Sequence, residues 1–190
     1  MDVFYASHFG HTETIALALA GRISLTGIAT RARNLARDWP SDEEILSPDA
    51  CVLISSIRYG GHLAPARRLL KRLAPLTPGK PLVLLSVSLS ARKKNRRSYA
   101  DNPYLRKWIR NSRAHPLLAE GIAGKLEYPR YNLFDRTMIR LIMTITGGPT
   151  DGTSVIDYTD WDRLAALAVE IGDLLRPLRD RQDERAFSRD

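Results

Sequence analysis

The residues Ser7-His8-Phe9-Gly10-His11-Thr12 combine small and hydroxyl-bearing side chains around a glycine. They follow a short apolar run and precede a stretch whose apolar residues recur at helical spacing. A loop in this position presents several backbone N–H groups to an anion, and the helix dipole strengthens the attraction. The segment lacks the lysine and the longer glycine spacing of a Walker A loop. We therefore predict a site for a bound monophosphate, with an ordinary tight turn as the alternative.

Two other loops also follow apolar strands and carry residues that suit a flat ligand. In the first, Ser56-Ile57-Arg58-Tyr59-Gly60, the tyrosine can stack on a ring and the arginine can face an electron-rich edge. In the second, residues 86–91 read Ser-Val-Ser-Leu-Ser-Ala, which is again small and hydroxyl-rich. Each loop alone also fits an ordinary surface turn. Together the three loops favour one crevice for a flat, phosphorylated ligand.

The elements that position these loops alternate between strands and helices along the chain. Ser41 to Glu44 has the capping-box pattern that opens a short helix. Apolar runs predict strands at residues 3–7, 28–35, 50–55, 81–87 and 121–127, and helical spacing predicts helices at residues 12–25, 63–73, 102–111 and 160–175. Such alternation is typical of an α/β fold, in which helices cover both faces of a parallel sheet. Ligands of these sheets bind beyond the carboxyl ends of the strands, where the three loops lie.

The composition indicates one ordered domain that does not span a membrane. The 190 residues are 44% hydrophobic and 26% charged, and Cys51 lies in an apolar run that predicts a buried, inert thiol. No apolar run approaches the roughly 20 residues that cross a bilayer. With one cysteine and no secretory leader, we expect an intracellular protein without a metal site. We expect a single domain over residues 1–175 and a polar, disordered tail over residues 176–190.

The net charge of +8 is concentrated in one part of the chain. Nine basic residues lie within residues 92–113 against Asp101 alone, whereas the remainder carries 20 basic and 20 acidic residues. Such a segment suits an anionic surface or a ligand with several carboxylates, and a solvated loop and helix face is the alternative. Tyr99, Tyr104 and Trp108 lie among these residues and leave a nucleic-acid-binding module open. No nucleic-acid-binding motif accompanies them, so we expect no nucleic-acid partner.

Residues 128–151 form an insert between the fifth strand and the last helix, and we expect residues 153–158 to resume the edge of the sheet. Arg136 and Arg140 fall on one side of a helix that is predicted at residues 133–145. The opposite, apolar face contains Phe134, Met138, Leu141, Ile142 and Ile145. Two interpretations remain open. The helix packs on the core of its own domain, or it enters a membrane interface or roofs a substrate.

The first loop matches the phosphate loop of flavodoxins, which reads hydroxyl, any, any, Gly, any, Thr. Over residues 1–175 the chain also resembles the menaquinone-dependent protoporphyrinogen oxidase family (protoporphyrinogen IX dehydrogenase). The later matching blocks are specific, because ordinary flavodoxins lack them. The blocks that carry the resemblance are residues 56–60, 86–93, 128–131, 135–136, 138–139, 141–143, 147–148 and 158–161.

The resemblance implies a flavodoxin-like, doubly wound sheet of five parallel strands, with a long-chain-type insert in the region of the fifth strand. It also implies an FMN cofactor, oxidation of protoporphyrinogen IX to protoporphyrin IX in heme synthesis, and electron transfer to a membrane quinone, menaquinone or ubiquinone. The chemistry would occur at flavin N5, with no general base identified and with Arg58 stabilising the reduced flavin. We expect the cofactor-binding residues to be Ser7, His8, Phe9, Gly10, His11, Thr12, Ser56, Ile57, Arg58, Tyr59, Gly60, Ser88, Leu89, Ser90 and Ala91.

The same resemblance places the protein in the cytoplasm, in peripheral contact with the anionic inner face of the cell membrane, and leaves a homo-oligomer open. A generic FMN-dependent quinone reductase and a flavodoxin-type electron carrier are the alternatives. A sequence pI of 9.9 disfavours the carrier, because carriers of this type are strongly acidic. We expect substrate or membrane contacts from Arg92, Lys93, Tyr128, Arg130, Tyr131, Phe134 and Met138.

Overall fold

Five parallel strands form the central sheet and bring their carboxyl ends to one edge. In spatial order they are β2 (Arg31–Asn34), β1 (Asp2–Ala6), β3 (Cys51–Arg58), β5 (Leu82–Ser88) and β6 (Leu118–Ala123). A two-residue strand, β4 (Gly61–His62), pairs antiparallel with the end of β3. The computed structural model describes residues 1–77 and 79–187, of which residues 177–187 are described by their backbone alone.

The central strands form because their residues are apolar on both faces, which is the pattern of a buried parallel sheet. All residues of β1 and β5 are buried, and so is the first part of β3. The register aligns Val3 with Val52, and Val52 with Val83, in one row across the three strands. The predicted α/β class with a five-stranded parallel sheet is confirmed.

Helices cover both faces of this sheet. Two of them pack on one face, namely α1 (His11–Ser24) and α6 (Trp161–Phe187). Three pack on the other face, namely α2 (Asp42–Leu46), α3 (Ala64–Leu76) and α4 (Pro103–Ser112). Within the described residues, no helix combines the length and the apolar character that a membrane span requires.

The helix caps follow the sequence closely. The capping box predicted at Ser41 is present, because its hydroxyl accepts the Glu44 N–H while the Glu44 carboxylate accepts the Ser41 N–H. The last helix, which is predicted from residue 160, begins with a side-chain cap. The structure shows the Asp160 carboxylate accepting the N–H of Arg163 at 2.9 Å.

The predicted fifth strand at residues 121–127 is in fact two strands in separate sheets. β6 ends at Ala123, and β7 (Lys125–Glu127) pairs antiparallel with β8 (Val155–Asp157) in a small second sheet. Gly124 forms the break, since its N–H donates to the Ser88 carbonyl while its own carbonyl accepts the Tyr158 N–H. The expectation that residues 153–158 resume the edge of the main sheet is therefore wrong.

The last helix is longer than the sequence predicts. α6 continues to Phe187, although a disordered tail was expected from residue 176. Arginine, leucine, glutamine and glutamate are all good helix formers, so a polar segment rich in them can continue a helix. Residues 188–190, which end that predicted tail, lie outside the described residues.

The insert contains a short 3₁₀ turn (Tyr128–Arg130) and helix α5 (Leu133–Thr146). Leu126, Tyr128, Tyr131 and Met143 form a third apolar cluster, separate from the two that flank the sheet. Tyr128 is fully buried, and its hydroxyl donates to the Pro149 carbonyl at 2.7 Å. Tyr128 therefore anchors the insert, which contradicts its expected contact with substrate or membrane.

Candidate functional site

The ends of β1, β3 and β5 and the turns that follow them meet around one cavity of about 210 Å³. We call it the flavin cavity, since the family resemblance places the cofactor at these residues. The turns meet because parallel strands end at the same edge of the sheet. All the residues predicted to bind the cofactor line this cavity except Gly10 and Ala91, and Ala91 is fully buried. The lining also includes residues that the sequence did not assign to the cofactor, among them Tyr104, Gly124, Lys125, Asp135, Ile139 and Ile142.

Gly10 gives the first loop its shape. Its φ of 91° lies in the left-handed region that residues with a Cβ rarely adopt, and its N–H donates to the Ser7 hydroxyl at 3.1 Å. No side chain caps the N-terminus of α1, so its first N–H groups are available to an anion. Thr12 is buried and lines the cavity beside them. The loop therefore has the geometry of a phosphate site.

The two histidines of this loop are mainly neutral at pH 7. Burial and the charge of Arg58 lower the pKa of His8, and burial lowers the pKa of His11 despite the nearby Asp157 carboxylate. The Nε2 atom of His11 lies 2.7 Å from the Thr159 hydroxyl, which itself donates to a backbone carbonyl. His11 therefore connects the loop to the start of the last helix.

Asp135 connects the insert to the last residue of β3 and to the turn that follows it. One carboxylate oxygen accepts from Arg58 Nη2 at 2.9 Å, and the other accepts from the Tyr59 hydroxyl at 2.8 Å. The Arg58 guanidinium also lies over the Tyr59 ring, 4.6 Å from its centroid. Burial alone would raise the pKa of Asp135, but these hydrogen bonds outweigh it and keep that pKa below its ordinary value of 3.8. We call this arrangement the Arg58–Tyr59–Asp135 clamp.

Two buried polar atoms in the cavity wall lack a hydrogen-bond partner among the described residues. They are the hydroxyl oxygen of Ser56 and the Nε atom of Arg58. A buried polar group without a partner costs about 1–3 kcal/mol, so their place beside the cavity indicates a ligand with polar atoms of its own. A flavin presents carbonyl and ring-nitrogen acceptors along one edge. The residues present therefore fit a flavin nucleotide.

Helix α5 and the turn before it form an apolar wall of the flavin cavity. Met138, Ile139 and Ile142 line it from the helix, and Tyr131 lines it from the turn. Phe9 packs against Tyr131 with 5.1 Å between the ring centroids. The structure thus brings Tyr131 and Met138, two of the predicted substrate contacts, to the site.

Helix α5 has one buried side and a separate apolar side that is largely exposed. Its buried stripe runs through Asp135 and Met143, and this stripe differs from the predicted apolar face. Most of that predicted face stays exposed, with 63% of Phe134, 54% of Leu141 and 75% of Ile145 accessible. The helix therefore packs on its own domain and still presents an apolar surface to its surroundings.

The basic segment at residues 92–113 does not form one free patch. Arg92 donates to the Thr146 carbonyl at 2.8 Å, and Arg97 pairs with Asp160 at 2.9 Å. These arginines stabilise the insert and the start of the last helix. Arg92, Lys93 and Arg130, which were predicted as contacts, do not line the flavin cavity, although Lys93 and Arg130 are exposed.

Comparison with known proteins agrees with this geometry. A family model described as a flavodoxin domain matches residues 3–153. The protoporphyrinogen IX dehydrogenase [quinone] of Escherichia coli (strain K12) is 37% identical over 173 residues, which cover 90% of this chain and 94% of that protein. The protein of the same name from Leishmania major is 34% identical over 174 residues, which cover 90% of this chain and 74% of that protein. The chain belongs to the protoporphyrinogen IX dehydrogenase [quinone] family.

Solved structures show the fold of this family member at low sequence identity. A flavodoxin from the domain Archaea has a TM-score of 0.53 at 14% identity, covering 93% of this chain and 99% of that one. Rubredoxin oxygen:oxidoreductase from Desulfovibrio gigas has a TM-score of 0.56 at 16% identity. That match covers 93% of this chain but only 36% of the larger protein. The flavodoxin-like fold is thereby confirmed. The flavodoxin family model, which matches residues 3–153, points to a flavin cofactor.

The clamp predicts a pH-dependent contribution of Asp135 to the stability of this dehydrogenase family member. At neutral pH, Asp135→Asn should lower the free energy of unfolding by roughly 1–3 kcal/mol, because Arg58 loses its charged acceptor. The folded-state pKa of Asp135 is depressed, so its contribution to stability is fully present above the ordinary pKa of 3.8 that it has in the unfolded chain. The difference between the two proteins should fade as the pH falls through the lower, folded-state pKa. Urea denaturation at a series of pH values measures it.

Asp173→Asn is the matched control for this series. Asp173 pairs with Arg176 at 2.9 Å on the exposed surface of α6, where an ion pair stabilises little. The control should change stability only slightly at every pH. An Asp135→Asn protein as stable as the control at neutral pH would show that the clamp contributes nothing.

Proposed function

We propose that this protein oxidises protoporphyrinogen IX to protoporphyrin IX, with FMN as its cofactor and a membrane quinone as electron acceptor. The proposal rests on the flavin cavity, where a loop suited to an anion, two polar atoms without a partner among the described residues, and apolar residues of α5 surround one space. The relatives supply the substrate and the acceptor, since their name is protoporphyrinogen IX dehydrogenase [quinone]. FMN, when bound, supplies two-electron chemistry between the porphyrinogen and the quinone.

The first loop suits the phosphate of FMN. The open N-terminus of α1 offers backbone N–H groups, and the left-handed Gly10 turns the chain so that these groups face one point. Ser7 and Thr12 add hydroxyls at the same place. A lysine is not needed, because this phosphate is held and not transferred.

The clamp residues and the unpaired donors suit the flavin ring. Arg58 brings a positive charge to the cavity wall. Its guanidinium is held in position by a hydrogen bond of 2.9 Å from Nη2 to the Asp135 carboxylate. A positive charge beside the ring stabilises the negative charge that reduction brings to it. The Ser56 hydroxyl is buried and has no hydrogen-bond partner among the described residues, and a hydroxyl suits the polar edge of the ring.

The apolar wall from α5 suits the porphyrinogen. Tyr131, Met138 and Ile142 present a surface that excludes water from the reacting face of a flat, poorly soluble ring. Methionine is unbranched and polarisable, so Met138 can adapt to a ring that changes shape as it becomes aromatic. These residues bind and shield the substrate, and water can take up the pyrrole protons.

Gly10→Ala should weaken FMN binding. Nothing lies within 4 Å of an added Cβ, so the effect comes from the backbone alone. In the free protein the loop can relieve this strain by leaving the φ of 91°, and FMN binding must then restore it. Restoring it costs about 1–2 kcal/mol for alanine, which corresponds to roughly 5- to 30-fold in affinity. Quenching of FMN fluorescence during titration measures the dissociation constant. Gly27→Ala is the control, because Gly27 has a similar φ of 85° and equal space but follows the C-terminal end of α1, at the opposite end of that helix from the first loop. Equal losses of affinity in both variants would argue against a phosphate site at this loop.

Anaerobic turnover tests the reaction itself. The FMN-loaded protein should convert protoporphyrinogen IX to protoporphyrin IX when a menaquinone analogue is present and should stop when it is omitted. Porphyrin absorbance follows the product, and loss of the flavin absorbance follows reduction. Flavin bleaching by a reduced nicotinamide, with none by the porphyrinogen, would instead indicate a generic quinone reductase.

The exposed face of α5 is the part of the molecule that we assign to the membrane. This outer face consists of Leu133, Phe134, Leu141 and Ile145, and Leu133 is 81% exposed. Arg130 and Arg140 are exposed near it and suit anionic headgroups. A quinone stays within the bilayer, so a protein that reduces it benefits from contact at this face.

Replacing Leu141 and Ile145 together by serine should weaken binding to vesicles of mixed neutral and anionic phospholipids. Losing two apolar contacts of this size should reduce the partition coefficient about tenfold or more. Co-sedimentation of the FMN-loaded protein with the vesicles measures it. The control replaces Leu25 and Val169 by serine, since both are exposed apolar residues on other helices or their ends. If both double variants bind the vesicles as the wild type does, α5 is not the membrane contact.

A further inference from the structure

A second cavity, of about 470 Å³, lies between α3 and α4. We call it the α3–α4 cavity. Arg67, Arg68 and Lys71 line it from α3, at positions that share one helix face. Lys107 lines it from α4, where Tyr104 and Trp108 occupy the same face. The walls thus carry four positive charges and no acidic residue.

The four cations have no partner within the described residues. No carboxylate lies within 4.0 Å of any of them, and their side chains make no hydrogen bond to residues of the described chain. Neighbouring arginines behave differently, since Arg72 on the same helix bonds to Asp42 at 2.6 Å. The α3–α4 cavity therefore presents four exposed cations that no carboxylate of the described residues neutralises.

The floor of the α3–α4 cavity is aromatic and buried. The His62 ring stacks on Trp108 with 3.9 Å between centroids, and its Nε2 atom lies 3.0 Å from the Ser86 hydroxyl. Burial and the charge of Arg67 lower the pKa of His62 to about 3, so the ring is neutral. The indole N–H of Trp108 is buried without an acceptor in the described chain.

The two cavities are neighbours, because Gly60 and Tyr104 line both. One ligand can therefore place an apolar ring in the flavin cavity and extend charged groups toward the α3–α4 cavity. The chemistry suits the proposed substrate, which has a largely apolar ring and two propionate side chains. The ring would lie against α5, while its carboxylates reach cations that remain in contact with water.

We propose that the α3–α4 cavity binds the propionate carboxylates of the tetrapyrrole, with Arg67, Arg68, Lys71 and Lys107 as their partners. This assignment rests on the proposed function and adds to it the element that recognises the acidic edge of the substrate. The cavity selects a ligand with ionised carboxylates over an otherwise identical ester, because only the carboxylates form charge-assisted hydrogen bonds with these cations.

Binding of protoporphyrin IX and of its dimethyl ester to the FMN-loaded protein tests the assignment. The cavity variant is Lys71→Gln/Lys107→Gln, which removes one charge from each wall. The control is Arg106→Gln/Arg110→Gln, which removes the same net charge from α4 at residues that do not line the cavity. We expect the cavity variant to bind the diacid about tenfold more weakly, the loss of affinity that about 1.4 kcal/mol represents. The control should bind the diacid like the wild type, and all three proteins should bind the ester equally.

Turnover separates this assignment from the proposed function. In the anaerobic assay the cavity variant should show a KM for protoporphyrinogen IX raised about tenfold with kcat nearly unchanged, since carboxylate binding is remote from the reacting atoms. The assignment is wrong, and the proposed function stands, if the wild-type protein turns over normally while the cavity variant keeps the wild-type KM and the wild-type affinity for the diacid. Equal weakening in the control variant overturns it too, because the effect would then reflect net charge. A wild-type protein that neither binds porphyrin nor turns over overturns both.

Discussion

The arrangement of the flavin cavity depends on one buried carboxylate, Asp135, which accepts hydrogen bonds from Arg58 and Tyr59. A buried charge is stable only when it is paired and hydrogen-bonded, so these three residues are stable only together. Tyr59 has a φ of 48°, which is rare for an aromatic residue, and its bond to Asp135 helps to hold that conformation. Because the clamp joins the loop after β3 to α5, it sets the distance between the two walls of the cavity.

The clamp also explains why α5 leaves a large apolar face in water. Residues one and two turns apart lie on the same side of a helix. Because Asp135 points inward, Met143, about two turns further along α5, is buried as well. Phe134, Leu141 and Ile145 consequently face outward. Leaving such side chains exposed forgoes about 1.5–3 kcal/mol each, which a helix with a purely structural role would recover by turning them inward. The orientation therefore gives up core packing in order to complete the cavity wall.

The features that could be predicted from the sequence are those set by residues close together in the chain. The first loop and the capping box at Ser41 are of this kind. That the three loops lie close together could also be predicted, because parallel strands end at the same edge of a sheet. The break at Gly124 could not be predicted, because it depends on hydrogen bonds to Ser88 and Tyr158, which lie far away in the sequence. The role of Asp135 was missed for the same reason, since its partners are 76 and 77 residues distant.

The distribution of charge also could not be predicted from the sequence alone, because it depends on which residues pair in the fold. Counted along the chain, the excess lies at residues 92–113, yet Arg92 and Arg97 use their charges within the fold. The cations of the α3–α4 cavity, which have no partner among the described residues, come mainly from α3, in a part of the chain whose charges balance in the count. An amphipathic ligand needs an apolar wall for its ring and hydrated cations for its carboxylates, because burying ionised groups beside α5 would be costly. Under the proposed assignment, the two adjacent cavities, which share Gly60 and Tyr104, would meet both demands.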